Sequence, residues 1–186
     1  NLTNGTYPAF LLNQLLLTSK SLASVTNTIK GGPLVFTNAN ARLDYSQSGS
    51  YAISNAILMA TDTVFGGIGG GGAVVLATNV TGGMPLVKEG PWTLVLRGSN
   101  TFADPVVVNG GANGIVRLEN VNAFLTNSIV VTNGGQLYGT TAMPLGGGSG
   151  LRSVHVTGNY SLWTNTGAVT INSNAVVTVD AGGKLA

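Results

Sequence analysis

Apolar residues recur at every second position in short bursts along this chain. Leu94 and Leu96 alternate with Thr93, Val95 and Arg97. Val106 pairs in the same way with Val108, Ile129 with Val131, Val154 with Val156, Val169 with Ile171, and Val177 with Val179. A period of two places alternate side chains on one face of a pleated backbone, so each burst predicts a short strand. Most bursts run into Gly or Asn: Asn109-Gly110-Gly111, Asn133-Gly134-Gly135, Gly158-Asn159, Asn172-Ser173-Asn174 and Gly182-Gly183. These residue types accept positive φ and mark turns.

The bursts also resemble one another. "IVVTNGGQL" from Ile129 and "VVTVDAGGKL" from Val176 share a β-branched strand, a polar link, Gly-Gly, one polar residue and Leu. "VVVNGGANGIVRL" from Val106 is a looser copy, and "VHVTGNYSL" from Val154 looser still. Starts at Val106, Ile129 and Val154 lie roughly 20–25 residues apart, the length of one coil in a repeat protein. Spacing after Val154 reads as shorter, which makes the repeat imperfect. Gly, Asn, Thr and β-branched residues are weak helix formers, so long helices are not expected. Ala9–Ala23 is the best helical candidate, but its stretch "FLLNQLLLTS" (Phe10–Ser19) reads as strand in preference to helix, with a capping helix as the alternative.

The segment "KEGPWTLVLRGSNTF" is one tooth of this repeat, and its wording is specific. Lys88 and Gly90, then Trp92, Leu94 and Leu96, then Gly98, Asn100, Thr101 and Phe102, resemble the autotransporter-associated β-strand repeat (passenger-associated transport repeat) of bacterial surface proteins. Phe102 stands where that family usually has Tyr. Ala103-Asp104-Pro105 replaces the Gly-Gly-Thr that often follows, and Val106–Gly110 resumes the pattern. "YAISNAILM" (Tyr51–Met59) is similar to the strand that precedes the core motif. The resemblance implies a right-handed parallel β-helix that is exported and then displayed or released, and it brings no catalytic residues with it.

The expected fold is therefore all-β: a right-handed parallel β-helix, or β-solenoid, with Gly/Asn-rich turns. Residues 1–186 form a single domain, with 1–23 as an N-terminal cap or first coil and 84–120 as the best-matching repeat. The same unit would fit inside a longer chain.

Composition narrows the function. Charged residues are 8% of the chain against a usual ~25%. Hydrophobic residues are 44%, far from a disordered composition. The net charge of +2 comes from singly scattered Lys and Arg, so no phosphate-binding patch is expected and nucleic acid is not a predicted partner. There are no cysteines, hence no disulfides and no thiolate chemistry. The N-terminus shows no signal-peptide pattern. "FLLNQLLL" is far short of the ~20 apolar residues that span a bilayer, so no membrane span is expected.

Candidate chemistry is sparse. His155 lies between Val154 and Val156 and should face solvent. The six acids are Asp44, Asp62, Glu89, Asp104, Glu119 and Asp180. A glycosidase needs two of them roughly 5–10 Å apart, with Asp104 and Glu119 the best candidates, but turn and surface roles account for them more simply. "GGIGGGG" (Gly66–Gly72) has no Lys-Ser/Thr after it and reads as a flexible corner or a tight backbone contact. Asn1, Asn4, Asn79 and Asn159 begin Asn-x-Ser/Thr triplets and are glycosylation candidates. Trp92, Trp163, Tyr138 and Tyr160 are candidates for a sugar-stacking platform, with Trp92 and Trp163 better read as packed. No catalytic, cofactor or metal site is predicted.

The leading expectation is a structural, non-enzymatic, extracellular or cell-surface solenoid: a stalk, coat or filament subunit. Its strand pattern runs to both ends without a charged or proline-blocked edge, so end-to-end self-association is expected. The alternative is an adhesin-type module for glycans or cell surfaces. A polysaccharide-acting enzyme ranks third.

Overall fold

Each predicted Leu or Val pair becomes a strand, and in the middle coils its inward side chains stack on those of the coils before and after it. A computed structural model describes residues 8–20, 25–120, 128–146 and 152–186. Among the described residues the structure is parallel β, with one 3₁₀ turn at Gly111–Asn113 and no α-helix.

The first coil is β1 (Phe10–Leu12), β2 (Gln14–Leu17) and β3 (Thr26–Ile29). The second is β4 (Leu34–Phe36), β5 (Ala41–Tyr45) and β6 (Ser50–Ile53), and the third is β7 (Ile57–Met59), β8 (Thr63–Gly66) and β9 (Ala73–Leu76). In the fourth, one long strand β10 (Val80–Glu89) precedes β11 (Thr93–Leu96); in the fifth, β12 (Thr101–Asn109) precedes β13 (Ile115–Leu118). Then follow β14 (Ile129–Thr132), β15 (Gln136–Gly139), β16 (Met143–Leu145), β17 (Arg152–Thr157), β18 (Leu162–Asn165), β19 (Val169–Ile171), β20 (Ala175–Asp180) and β21 (Lys184–Leu185).

The strands lie on three faces. β1, β4 and β7 stack on face one, while β2, β5 and β8 stack on face two. β10 merges the two faces: its start pairs with β7 and its end with β8. β12, β14, β17 and β20 continue from β10. Face three runs from β3 to β21 through eight strands. Late in the chain a separate pair, β16–β19, takes the place of face one by chain order, because β16 lies between β15 on face three and β17 on face two as β7 lies between β6 and β8.

Register explains the spacing in the sequence. Val106 pairs with Ile129, Ile129 with Val154 and Val154 with Val177, so successive coils span 23, 25 and 23 residues and the one after Val154 is as long as the one after Val106. The expected shortening is corrected on two counts. The last unit starts at Val177, not Val176, and Val169–Ile171 belongs to face one rather than to the Val106 column. Within the stretch read as strand, Phe10–Ser19, Phe10–Leu12 is β1 and Gln14–Leu17 is β2, so strand prevails over helix there, and residues 21–23 of the helical alternative lie outside the described residues.

Two of the inward columns run the length of the stack. On face two, Leu15, Leu43, Phe65, Lys88, Val108, Val131, Val156 and Val179 pair in turn. On face three the column is Tyr51, Val74, Leu94, Val116, Leu137, Trp163 and Leu185. From Leu43 to Val156 the face-two column is completely buried. Each fully buried aliphatic residue contributes on the order of 1.5–3 kcal/mol relative to exposure, so the aligned columns are the main stabilising feature.

Candidate functional site

The repeat motif folds into the corner between faces two and three. β10 ends at Glu89, the chain turns through Gly90 and Pro91, and β11 begins at Thr93. Lys88 sits among the apolar residues of the face-two column and is fully buried. Its Nζ donates to the backbone carbonyls of Glu89 (3.0 Å) and Gly90 (2.8 Å). It also lies 4.1 Å from the centroid of the Trp92 ring. A buried ammonium must replace its lost water; here two carbonyl dipoles and one π-face do so. Burial nevertheless pushes the Lys88 amine down to about 7, with Glu89 opposing the shift. The Lys-x-Gly-x-Trp spacing thus has a physical reason. Lys88 turns back onto its own corner, Gly90 lets the backbone pass against Gly67, and Trp92 covers the cation.

Trp92 continues into an aromatic cluster. Its ring centroid lies 5.5 Å from that of Tyr45, and Tyr45 meets Tyr51 edge-on at 6.2 Å. The Tyr51 hydroxyl accepts a hydrogen bond from the backbone N–H of Ser19 at 2.5 Å, tying the cluster to the first coil. The glycine run closes over Tyr45. Gly69 N–H donates to Tyr45 O at 2.8 Å, and Gly70 N–H to Gln47 O at 3.1 Å. A Cβ on Gly69 would come within 2.6 Å of the Tyr45 ring, and one on Gly72 within 2.6 Å of the Tyr45 hydroxyl. Of the two readings of Gly66–Gly72, the tight backbone contact is the one realised.

The rest of the motif serves the next corner. Asn100 is buried; its Oδ1 accepts from Val80 N–H at 2.8 Å and its Nδ2 donates to Gly98 O at 3.1 Å. Leu94 and Leu96 are core residues, and Thr101 opens β12 with an exposed side chain. The Phe102 side chain lies outside the described residues.

Sequence reasoning placed Lys88 in the motif and counted it among the singly scattered cations, without assigning it an inward position. The signal was present: Lys88 is two residues after Leu86, so the alternation that buries Leu86 also turns Lys88 inward. Tyr45 was missed because its partners lie one and two coils away, at Gly69, Gly72 and Trp92.

The remaining candidates do not converge. The Asp104 side chain lies outside the described residues, and Glu119 is paired with Arg97 at 2.7 Å. Asp44 accepts from Arg42 at 3.0 Å and from Gln14 at 2.8 Å. Burial disfavours its charge, but these bonds outweigh that and hold its carboxyl below the usual range. His155 faces outward, as expected, with Nε2 3.0 Å from the Asp180 carboxylate. Hydrogen bonds from Thr157 and then His155 hold the Asp180 carboxyl below its ordinary value. No group of three or more His, Cys, Asp or Glu side chains among the described residues is placed to hold a metal ion. Likewise no described helix is long and apolar enough to cross a membrane.

Of the four aromatic candidates, Trp92 and Trp163 are buried, and half-buried Tyr138 donates to Gln136 Oε1 at 3.0 Å. Tyr160 alone stands out, 75% exposed. Among the glycosylation candidates, Asn79 and Asn159 are exposed, and Asn79 Oδ1 accepts from Ser99 N–H at 3.0 Å. Asn1 and Asn4 lie outside the described residues. No protein-family model matches the chain, and no curated protein or solved structure matches it either.

Proposed function

We propose that the chain is a structural β-solenoid of the extracellular space or cell surface, whose copies stack end to end into a rod. One observation carries the reading. The last three strands, β19, β20 and β21, visit faces one, two and three in the order in which β1, β2 and β3 do at the other rim. All run parallel, so a copy shifted along the axis would set β1 beside β19, β2 beside β20 and β3 beside β21, and each ladder would continue. The apolar columns would continue as well, because Val179 ends the column that Leu15 begins.

Among the described residues, both rims expose apolar side chains. Phe10 is 51% exposed at one; Ile171 (58%), Leu185 (51%) and Val179 (41%) are exposed at the other. Unpaired parallel edges with apolar cores template further strands, and a head-to-tail contact that does not close gives a filament. Extracellular placement is supported by the resemblance of Lys88–Phe102 to the passenger repeat.

The test uses one blocked rim at a time. Val179→Lys places a charge at one rim and Phe10→Lys at the other, both at exposed positions. In sedimentation velocity the wild-type chain is expected to form a concentration-dependent series, and each variant is expected to fall towards the 18.8 kDa monomer. Mixed together, the two variants should form a dimer and nothing larger, because each retains one working rim. A wild-type chain that stays monomeric at every concentration refutes the reading.

A further inference from the structure

We propose that Tyr160 and the groove beside it form a subsite for an uncharged carbohydrate, on the flank of the solenoid and independent of its ends. Strand register supplies the argument. Gln136 pairs with Leu162, and Leu162 with Lys184. Counting back two residues from each, Tyr160 stands level with Gly134 in the coil before and Gly182 in the coil after. All three take positive φ: 73° at Gly134, 67° at Tyr160 and 90° at Gly182. Glycine enters that region freely, and a residue with a Cβ does so against steric resistance. The chain therefore sets a tyrosine where its neighbouring coils use glycine.

The ring does not serve the core. Tyr160 is 75% exposed, whereas Trp92, Trp163 and Tyr45 are buried. The levels directly before and after it carry no side chain, so the ring stands clear of its stack. Beside it runs a groove of about 500 Å³, within the size range of small-molecule sites. Thr132, Asn133 and Asn159 line it with Tyr160, over the backbone of Gly111 and Gly134. Asn133 is oriented by its Nδ2, which donates to Asn109 Oδ1 at 3.0 Å.

Among the described residues, no charged side chain lines this groove. Phosphorylated, sulfated or uronic-acid ligands would find no counter-charge there. A neutral pyranose fits the chemistry: its C–H face packs on a flat aromatic ring, and its hydroxyls exchange hydrogen bonds with amides and the threonine hydroxyl. A single such subsite is weak, with a Kd on the order of 1 mM. A rod of stacked copies would repeat the subsite once per subunit and raise its avidity.

The experiment is a titration of the full chain with short neutral gluco- and galacto-oligosaccharides, followed by saturation-transfer NMR and calorimetry. Oligogalacturonate and a proline-rich peptide are titrated alongside. The wild-type protein should bind at least one neutral oligosaccharide with the Tyr160 ring in the contact, and Tyr160→Phe should keep most of that affinity. Tyr160→Gly should lose about tenfold or more, yet unfold at the same or a higher temperature, because glycine suits that backbone. Failure of every neutral oligosaccharide to bind overturns the proposal. So does unchanged affinity in Tyr160→Gly, or binding restricted to oligogalacturonate or the peptide.

Discussion

Between pH 6 and pH 9 the wild-type protein is expected to gain about 2–3 kcal/mol of stability that Lys88→Met lacks, at 1.36 kcal/mol per unit of separation. The amine titrates at about 7 when folded against an ordinary value of 10.5. Below pH 7 it is protonated in both states, and the cost of burying the charge applies in full. Above pH 7 the folded chain releases the proton while the unfolded chain keeps it. The unfolded state then binds more protons, so stability rises with pH until about 10.5. Methionine fills a similar volume without a charge, and Gly90 O keeps a donor because Trp92 N–H also reaches it at 3.1 Å. Comparing the pair cancels the titration of groups they share. Urea midpoints at the two pH values measure the difference; parallel profiles for both proteins would show that the Lys88 charge is not buried.

The second large effect lies in the glycine run. Gly69→Ala is expected to cost about 1–3 kcal/mol, the usual range for overpacking. The new methyl would press within 2.6 Å of both the Tyr45 ring and Gln47 O, and the backbone carbonyl cannot swing away as a side chain could. Gly70→Ala, one residue on, should be neutral within about 0.5 kcal/mol, because the nearest atom to its Cβ would be Pro91 O at 3.8 Å. A loop acting as a loose corner would tolerate both changes alike. Thermal denaturation of the two variants decides between these outcomes.

These two predictions rest on residues that differ in how readable they were. The strands were legible because period-two alternation is local: Leu94 and Leu96, or Ile129 and Val131, announce their inward face without any knowledge of neighbours. Coil length was legible because Val106, Ile129 and Val154 repeat the same wording, and they pair in register. The three-faced cross-section was not, since β7 and β8 are separate short strands while their counterpart β10 is continuous. Nothing in Val80–Glu89 signals that merger. Contacts between coils were the least legible. Tyr45 rests under Gly69 and Gly72 and against Trp92, and a parallel stack joins residues some twenty positions apart with no local mark of the pairing. The inward turn of Lys88 was readable in principle from Leu86, but a lysine in an apolar column runs against the usual exposure of charged residues.

Buried Lys88, the glycine-covered Tyr45 and the filled columns pack the middle coils closely, and among the described residues apolar side chains are exposed at both rims. The proposed rod, assembled by rim-to-rim stacking, would use both properties. Cryo-electron microscopy of the purified chain at rising concentration tests this most directly. The account predicts filaments with a strand spacing of ~4.8 Å along the axis and, with eight rungs per copy, a subunit rise of ~38 Å. Short single particles at every concentration, with no axial strand repeat beyond one copy, would contradict it.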